Sequence, residues 1–88
     1  RIQMKKSVIL RLSKKLKALQ DPTRLKILAI LSQGPFCVCI ITEVLKLAQP
    51  TISRHLSLLE DAGFVSRRRE GRLIIYRLSP EDRLTENI

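Results

Sequence analysis

The sequence predicts a mainly α-helical domain with a small β-hairpin, and three features of the chain predict it. Four segments carry the apolar patterns of helices. Aspartate, proline and glycine residues between them are typical of helix ends. Two strand-like segments near the carboxyl end are separated by a glycine. The 88 residues suffice for one such domain, which we expect to span residues 1–88.

The four helices are expected to start and stop at recognisable residues. Asp21 is suited to cap the second helix, with Pro22 in its first turn. Gly34 and Gly63 are suited to follow the second and fourth helices. The expected helices cover about residues 5–20, 22–33, 40–47 and 50–62.

The hairpin is expected over about residues 64–78, with its turn at Glu70-Gly71. A short terminal helix is expected over about residues 80–87, because Ser79-Pro80 is a good helix start. The segment from Phe36 to Ile40 is rich in β-branched residues and has the composition of an extended stretch.

The composition favours a folded, strongly basic protein. Hydrophobic residues make up 44% of the chain, which argues against disorder, and the net charge is +9. Residues 1–20 carry +7 and residues 63–79 carry +4, around a neutral middle. Two basic zones favour a polyanionic partner, with nucleic acid as the default and a merely solvated charged face as the alternative.

The sequence excludes several other settings. No apolar run approaches the roughly 20 residues that span a bilayer, and we expect no secretory signal, because the first residues lack its apolar stretch. Two cysteines one residue apart are a weak basis for a disulfide, so we expect reduced thiols in a cytoplasmic protein. A thiol enzyme would need a catalytic base near the cysteines, and this chain has no suitable one there. A helix that binds a membrane surface would need aromatic anchors, which the first helix lacks.

Two helices joined by a tight break and followed by a basic hairpin form the pattern of a winged helix-turn-helix. In the fourth helix the apolar residues Ile52, Leu56 and Leu59 point inward, which leaves a polar amino-terminal half exposed. These polar side chains can read base edges or contact phosphates. The predicted DNA-binding residues of this helix are Gln49, Thr51, Ser53, Arg54 and His55.

The hairpin supplies the second half of the predicted DNA interface. Four arginines at one turn repel each other unless a polyanion lies among them, which favours contacts with phosphates or a minor groove. These residues are Arg67, Arg68, Arg69 and Arg72. The alternative for each polar residue is an ordinary solvated side chain, and for His55 also a histidine satisfied within the core or bound to metal.

Four motifs together resemble the ArsR/SmtB family of metalloregulatory repressors. They are Lys17-Ala18-Leu19-Gln20-Asp21-Pro22-Thr23-Arg24-Leu25, Phe36-Cys37-Val38-Cys39, Gln49-Pro50-Thr51-Ile52-Ser53-Arg54-His55-Leu56 and Arg68-Arg69-Glu70-Gly71-Arg72. The resemblance covers about residues 16–78. It implies a homodimer that binds a palindromic operator in double-stranded DNA, blocks transcription, and releases the DNA when an inducer binds.

A dimer is also favoured by the first helix. An apolar stripe there steps by three, four and three residues, which suits a seam with a partner helix, although packing within the chain is the alternative. The predicted dimer-interface residues are Ile9, Leu12, Leu16 and Leu19.

Cys37 and Cys39 are the candidate inducer site. Residues i and i+2 share a face only in an extended segment, so the pair can chelate one ion if that segment is extended or the helix start opens. The bland alternative is two buried core cysteines. The resemblance favours arsenite or a soft metal ion, because the family's arsenic sensors carry this pair. They often hold a third cysteine where this chain has Thr42, and a helix-capping serine where it has Ala48.

The sequence therefore predicts a cytoplasmic, homodimeric DNA-binding repressor with no enzymatic activity, no organic cofactor and no membrane partner. Arsenite or a soft divalent metal ion bound at Cys37 and Cys39 is the predicted inducer. The alternative is a repressor of the same fold that responds to thiol oxidation or to no metal.

Overall fold

A computed structural model describes residues 4–79 of the chain, so the terminal helix expected over residues 80–87 lies outside the described residues. Four helices and a three-stranded sheet follow one another along the chain. They are α1 (Lys6–Leu19), α2 (Pro22–Leu31), β1 (Phe36–Cys37), α3 (Val38–Leu45), α4 (Gln49–Asp61), β2 (Val65–Glu70) and β3 (Leu73–Leu78).

The helix ends follow from local chemistry. Asp21 is extended and its carboxylate accepts a hydrogen bond from the Arg24 backbone N–H at 3.0 Å, which caps α2. Lys46 ends α3 in the left-handed conformation, with φ of 56°. Gly63 follows α4 with φ of 87°, which glycine adopts without a steric penalty.

The sheet is antiparallel, with strand order β1-β3-β2. β1 has only two residues, Phe36 and Cys37, which pair with Tyr76 and Ile75. Glu70 pairs with Leu73, so the hairpin turn is Gly71-Arg72, one residue later than the sequence analysis expects. Gly71 has φ of 61° at the first central position of this two-residue turn, where a type II′ turn requires glycine.

The core lies where α2, α3, α4 and the base of the hairpin meet. The largest fully buried side chains come from the three helices, and all of them are aliphatic. They are Ile27, Ile41, Ile52, Leu56 and Leu59. Val65 and Tyr76 close the core on the sheet side. The predicted inward stripe of α4 is therefore observed, with each of its three residues 0% exposed.

α1 lies against this core by a narrow contact. Ala18 is its one buried residue among those described. One turn before Ala18, Lys15 also holds the helix: its Nζ donates to the Ala62 carbonyl at 2.6 Å and lies 4.8 Å from the centroid of the Phe64 ring. Across residues 4–79, no helix combines the length and the apolarity needed to cross a membrane.

Candidate nucleic-acid interface

The amino-terminal half of α4 presents polar side chains on its outer face. Gln49, Thr51 and Arg54 are exposed, and Ser53 is half-buried. The core holds the opposite face through Ile52 and Leu56, so the orientation of the outer residues is fixed by packing rather than by their own contacts. Ser57, which is not among the predicted residues, lies one turn after Ser53 on the same face and is exposed.

His55 differs from the other predicted DNA-binding residues of α4. Its side chain is only 18% exposed, so the prediction that it is exposed is wrong. The cause is a cluster at the start of α2: the His55 Nδ1 lies 3.1 Å from Arg24 Nη1 and 3.9 Å from Asp21 Oδ2. The Nδ1 edge of the imidazole therefore faces Arg24 and Asp21 of the same chain.

This cluster also favours the carboxylate form of Asp21. The Arg24 backbone N–H that donates to Asp21 lowers the pKa of this carboxyl below its ordinary value, against the opposing effect of burial. The nearby Arg24 guanidinium and His55 side chain lower the pKa of Asp21 further. Because the folded pKa is depressed, the stabilisation is present above the unfolded pKa and is lost as the pH falls through the folded value.

The arginines of the wing, β2 and β3 with their turn, do not form one cluster. Arg67 and Arg69 share a face with buried Val65, whereas Arg68 lies on the other face of β2. Arg67 Nε lies 3.6 Å from Glu60 Oε2 on α4, and Arg68 Nε donates to Glu70 Oε2 at 2.7 Å. These carboxylates relieve part of the repulsion that the sequence analysis used to argue for a polyanion. The arginines are nevertheless all exposed, so they remain available to phosphates.

A groove of about 270 Å³ joins the two halves of the predicted interface. Gln49 and Ser53 of α4 form one wall, and Arg67 and Arg72 of the wing form another. Cys37 and Cys39 also line this groove. The structure thus brings the candidate inducer site and part of the candidate DNA-binding set to one surface, although they are far apart in sequence.

The two cysteines form a disulfide, so the expectation of reduced thiols is wrong for this form of the chain. Their sulfurs can meet because the pair spans a strand-to-helix junction: Cys37 is extended at the N-cap of α3, with φ of −75° and ψ of 159°, and Cys39 lies in the first turn. The two Cα atoms are 5.3 Å apart. α3 begins at Val38, earlier than the sequence analysis expects.

The donor set at this junction is incomplete for a metal ion. While bonded to each other, the sulfurs offer no thiolate, and metal ligation requires the reduced pair. Within residues 4–79 no three histidine, cysteine, aspartate or glutamate side chains are grouped to hold a metal ion. Thr42, at the position of the third cysteine of many arsenic sensors, instead donates its hydroxyl to the Val38 carbonyl at 2.8 Å. Reduced Cys37 and Cys39 thus supply two ligands.

The predicted dimer stripe of α1 is mostly exposed in the described chain. Ile9, Leu12 and Leu16 are 49%, 39% and 62% exposed, and Leu19 is half-buried. Packing within the chain, the alternative to a dimer seam, partly buries Leu19 and leaves the other three residues exposed.

A comparison with known protein families shows which family this chain belongs to. Residues 21–67, which run from the cap of α2 into the wing, match the model of the family described as "Bacterial regulatory protein, arsR family". The chain belongs to the arsR family. This membership places the chain among bacterial regulatory proteins, and it confirms the resemblance found in the sequence.

Individual relatives give the same result. The chain is 48% identical over 66 residues to the arsenic resistance transcriptional regulator ArsR1 of Pseudomonas putida, which covers 74% of this chain and 52% of the relative. It is 49% identical over 73 residues to an uncharacterized HTH-type transcriptional regulator of Methanocaldococcus jannaschii, with 82% and 81% covered. The chain thus spans about half the length of the Pseudomonas relative.

A solved structure supports the fold. The homodimeric winged helix-turn-helix DNA-binding domain from Mycobacterium bovis, determined by NMR, matches with a TM-score of 0.82 and 34% identity. The match covers 97% of this chain and 82% of that domain. The predicted fold class, mainly α-helical with a small β-hairpin in a winged helix-turn-helix, is confirmed.

Proposed function

We propose that the chain is the DNA-binding part of a homodimeric transcriptional repressor that acts in the cytoplasm. In this proposal two copies bind a palindromic operator, and arsenite or a soft metal ion at reduced Cys37 and Cys39 releases it. The observation that carries the proposal is the groove in which Cys37 and Cys39 share a surface with Gln49, Ser53 and Arg67.

Operator binding is supported by the surfaces of α4 and the wing, which suit different parts of the DNA. Gln49, Thr51 and Arg54 are exposed on a helix whose other face is locked into the core, which is the arrangement of a recognition helix in a major groove. The wing adds exposed arginines that can follow the phosphate backbone or enter an adjacent minor groove. One recognition helix reads only a few base pairs, so a two-fold dimer doubles the site.

Dimerisation through α1 is supported by its unpaired apolar stripe. Ile9, Leu12 and Leu16 follow one face of α1 and are exposed in the single chain. A partner helix would remove this surface from water. The similar domain from Mycobacterium bovis is described as homodimeric.

Inducer release is supported by the position of the cysteine pair at the start of α3. Binding one thiophilic ion requires both thiolates on one side, and solvent, a small thiol or the partner subunit would complete the ligand set. The ion would change the first turn of α3, which packs against α4, and would alter the groove used by DNA. Such release requires that the ion bind the DNA-free state more tightly than the DNA-bound state. The name of the Pseudomonas relative refers to arsenic resistance.

A second candidate function is favoured by the disulfide itself. If the Cys37–Cys39 bond forms and breaks under physiological conditions, oxidation rather than a metal ion would change the start of α3. Both candidates use the same two sulfurs and differ in what reacts with them.

DNA release by the cysteines can be tested with a duplex selected from a random-sequence pool by the wild-type protein. The readout is fluorescence anisotropy of the labelled duplex after reduction with a phosphine, which leaves no competing thiol. We expect arsenite or Cd²⁺ to release the duplex from the wild type and not from the Cys37→Ser/Cys39→Ser variant. Thr42→Ser, which keeps the α3 hydroxyl and both cysteines, is the matched control and should respond like the wild type.

The outcomes separate the two candidates. Release by diamide but not by arsenite, Cd²⁺ or Zn²⁺ would replace the metal proposal with the oxidation proposal. Release of the double serine variant by the same ions would refute a role of the cysteines in either mechanism. Affinity that does not fall as salt rises would contradict the proposed phosphate contacts of the wing.

A further inference from the structure

Arg24 joins three helices through one side chain. Its Nε donates to the Ala18 carbonyl at 2.8 Å and its Nη2 to the Lys17 carbonyl at 3.2 Å, both at the carboxyl end of α1. Its Nη1 lies 3.1 Å from His55 Nδ1 on α4. The planar guanidinium is thus held at two corners before it meets the imidazole, which leaves little freedom in where Nη1 points.

This contact determines which nitrogen of His55 carries the proton. A guanidinium has only donors and stays protonated in proteins, so Nδ1 must be the acceptor in the Arg24–His55 hydrogen bond. An imidazolium has no acceptor nitrogen and cannot make this bond. His55 is therefore neutral in this arrangement, with its proton on Nε2.

The other charged neighbour of the ring does not reverse this assignment. Asp21 Oδ2 lies 3.9 Å from His55 Nδ1, which is beyond hydrogen-bonding distance, and the same carboxylate already accepts from the Arg24 backbone N–H at 3.0 Å. A carboxylate alone would favour a proton on Nδ1, but Arg24 stands closer and occupies that nitrogen. The nitrogen left with an N–H is Nε2, on the other edge of the ring.

We propose that Arg24 is a positioning residue that fixes the proton of His55 on Nε2, so that α4 presents a neutral N–H donor to a DNA phosphate. This inference rests on the DNA-binding function proposed above, and it deepens the role of His55 within it. Arg24 itself makes no contact with DNA in this proposal. Its guanidinium is directed to α1 and to His55, and it acts on DNA only through the imidazole.

The position of the proton can be measured directly, because His55 is the sole histidine of the chain. Protein labelled with ¹⁵N at histidine gives one pair of ring nitrogens, whose shifts and couplings distinguish the two neutral tautomers. At about pH 8, where an ordinary imidazole is neutral, we expect the Nε2–H form in the wild type. A predominant Nδ1–H form in the wild type would overturn the proposal without any variant or any DNA.

The same measurement on two variants tests whether Arg24 fixes the tautomer of His55. Arg24→Leu removes the donor and should give a mixture of tautomers or the Nδ1–H form. Lys26→Leu removes one exposed positive charge from the same helix and should keep the Nε2–H form. An unchanged Nε2–H form in a folded Arg24→Leu variant would overturn the role of Arg24.

A double-mutant cycle then tests whether Arg24 acts through His55. His55→Asn keeps an acceptor near the Nδ1 position and removes the Nε2–H donor, and it should weaken binding to the selected duplex at least about tenfold, as expected for a lost hydrogen bond to a charged group. If Arg24 acts through His55, Arg24→Leu should weaken binding of His55→Asn by less than about twofold.

Independent effects of the two substitutions would overturn the positioning role of Arg24, and unchanged affinity in His55→Asn would overturn the phosphate contact. If the wild type binds no duplex at all, the function proposed above fails as well. The tautomer measurement distinguishes these failures, because it is made on the free protein.

Discussion

α1 and α4 are amphipathic helices of 14 and 13 residues, yet they use their apolar stripes in opposite ways. The stripe of α4, centred on Leu56, is 0% exposed, whereas Leu16 in the stripe of α1 is 62% exposed. The spacing of apolar residues thus predicts a helix and the face it buries, but not what covers that face. The rest of the domain packs against the stripe of α4, and we propose that a second copy of the chain packs against the stripe of α1.

The largest expected effect comes from matched truncations in the two stripes. Leu56→Ala should lower the free energy of unfolding by about 3 kcal/mol, since it opens a cavity in a close-packed core. Leu16→Ala should lower it by under about 1 kcal/mol, because the side chain is already mostly in water. Chemical denaturation at protein concentrations where the chain is monomeric measures both.

Two results would contradict this comparison. Equal losses for the two alanine variants would show that α1 packs within the chain as tightly as α4 does. If Leu56→Ala does not fold, Leu56→Met provides the measurement, because a swap of similar volume should cost less than about 1.5 kcal/mol.

The sequence predicts α4 more completely than the clusters around it. Its stripe needs only the 3.6-residue period, and the cap of α2 needs only Asp21 beside Pro22. The burial of His55 depends on Arg24, which lies 31 residues away and enters the sequence analysis only as part of a family motif. Such a contact is set by how helices cross, and local pattern carries no information about it.

The wing and the cysteines show the same limit. The hairpin is predictable from alternation and Gly71, but the pairing of Arg67 with Glu60 depends on how β2 lies against α4. β1 has two residues, too few for a period, so its pairing with β3 appears only in the structure. The meeting of Cys37 with Cys39 follows from the change of backbone conformation at that junction.

An intermediate effect is expected when the α1 stripe is made charged. Leu16→Glu should raise the dissociation constant of the proposed dimer at least about tenfold, because a carboxylate would have to be buried against an apolar partner helix. Sedimentation equilibrium measures this directly. Leu10→Glu is the matched control: the same residue on the same helix is 69% exposed and lies off the stripe, so its effect should be small. Equal effects of the two variants would rule out this stripe as the dimer contact.

The smallest expected effect concerns the starts of α1 and α4, because neither helix has a side-chain cap. Lys5 and Ala48 are both extended N-cap residues that make no side-chain capping bond. Ala48→Ser should stabilise the folded chain by roughly 0.5–1 kcal/mol, because a hydroxyl can accept from an amide of the first turn of α4. Lys5→Ser should have less effect on global unfolding, since the free start of α1 can open locally while the core stays folded. Thermal unfolding of both variants compares them, and an equal rise in Tm would mean that α1 folds and unfolds together with the core.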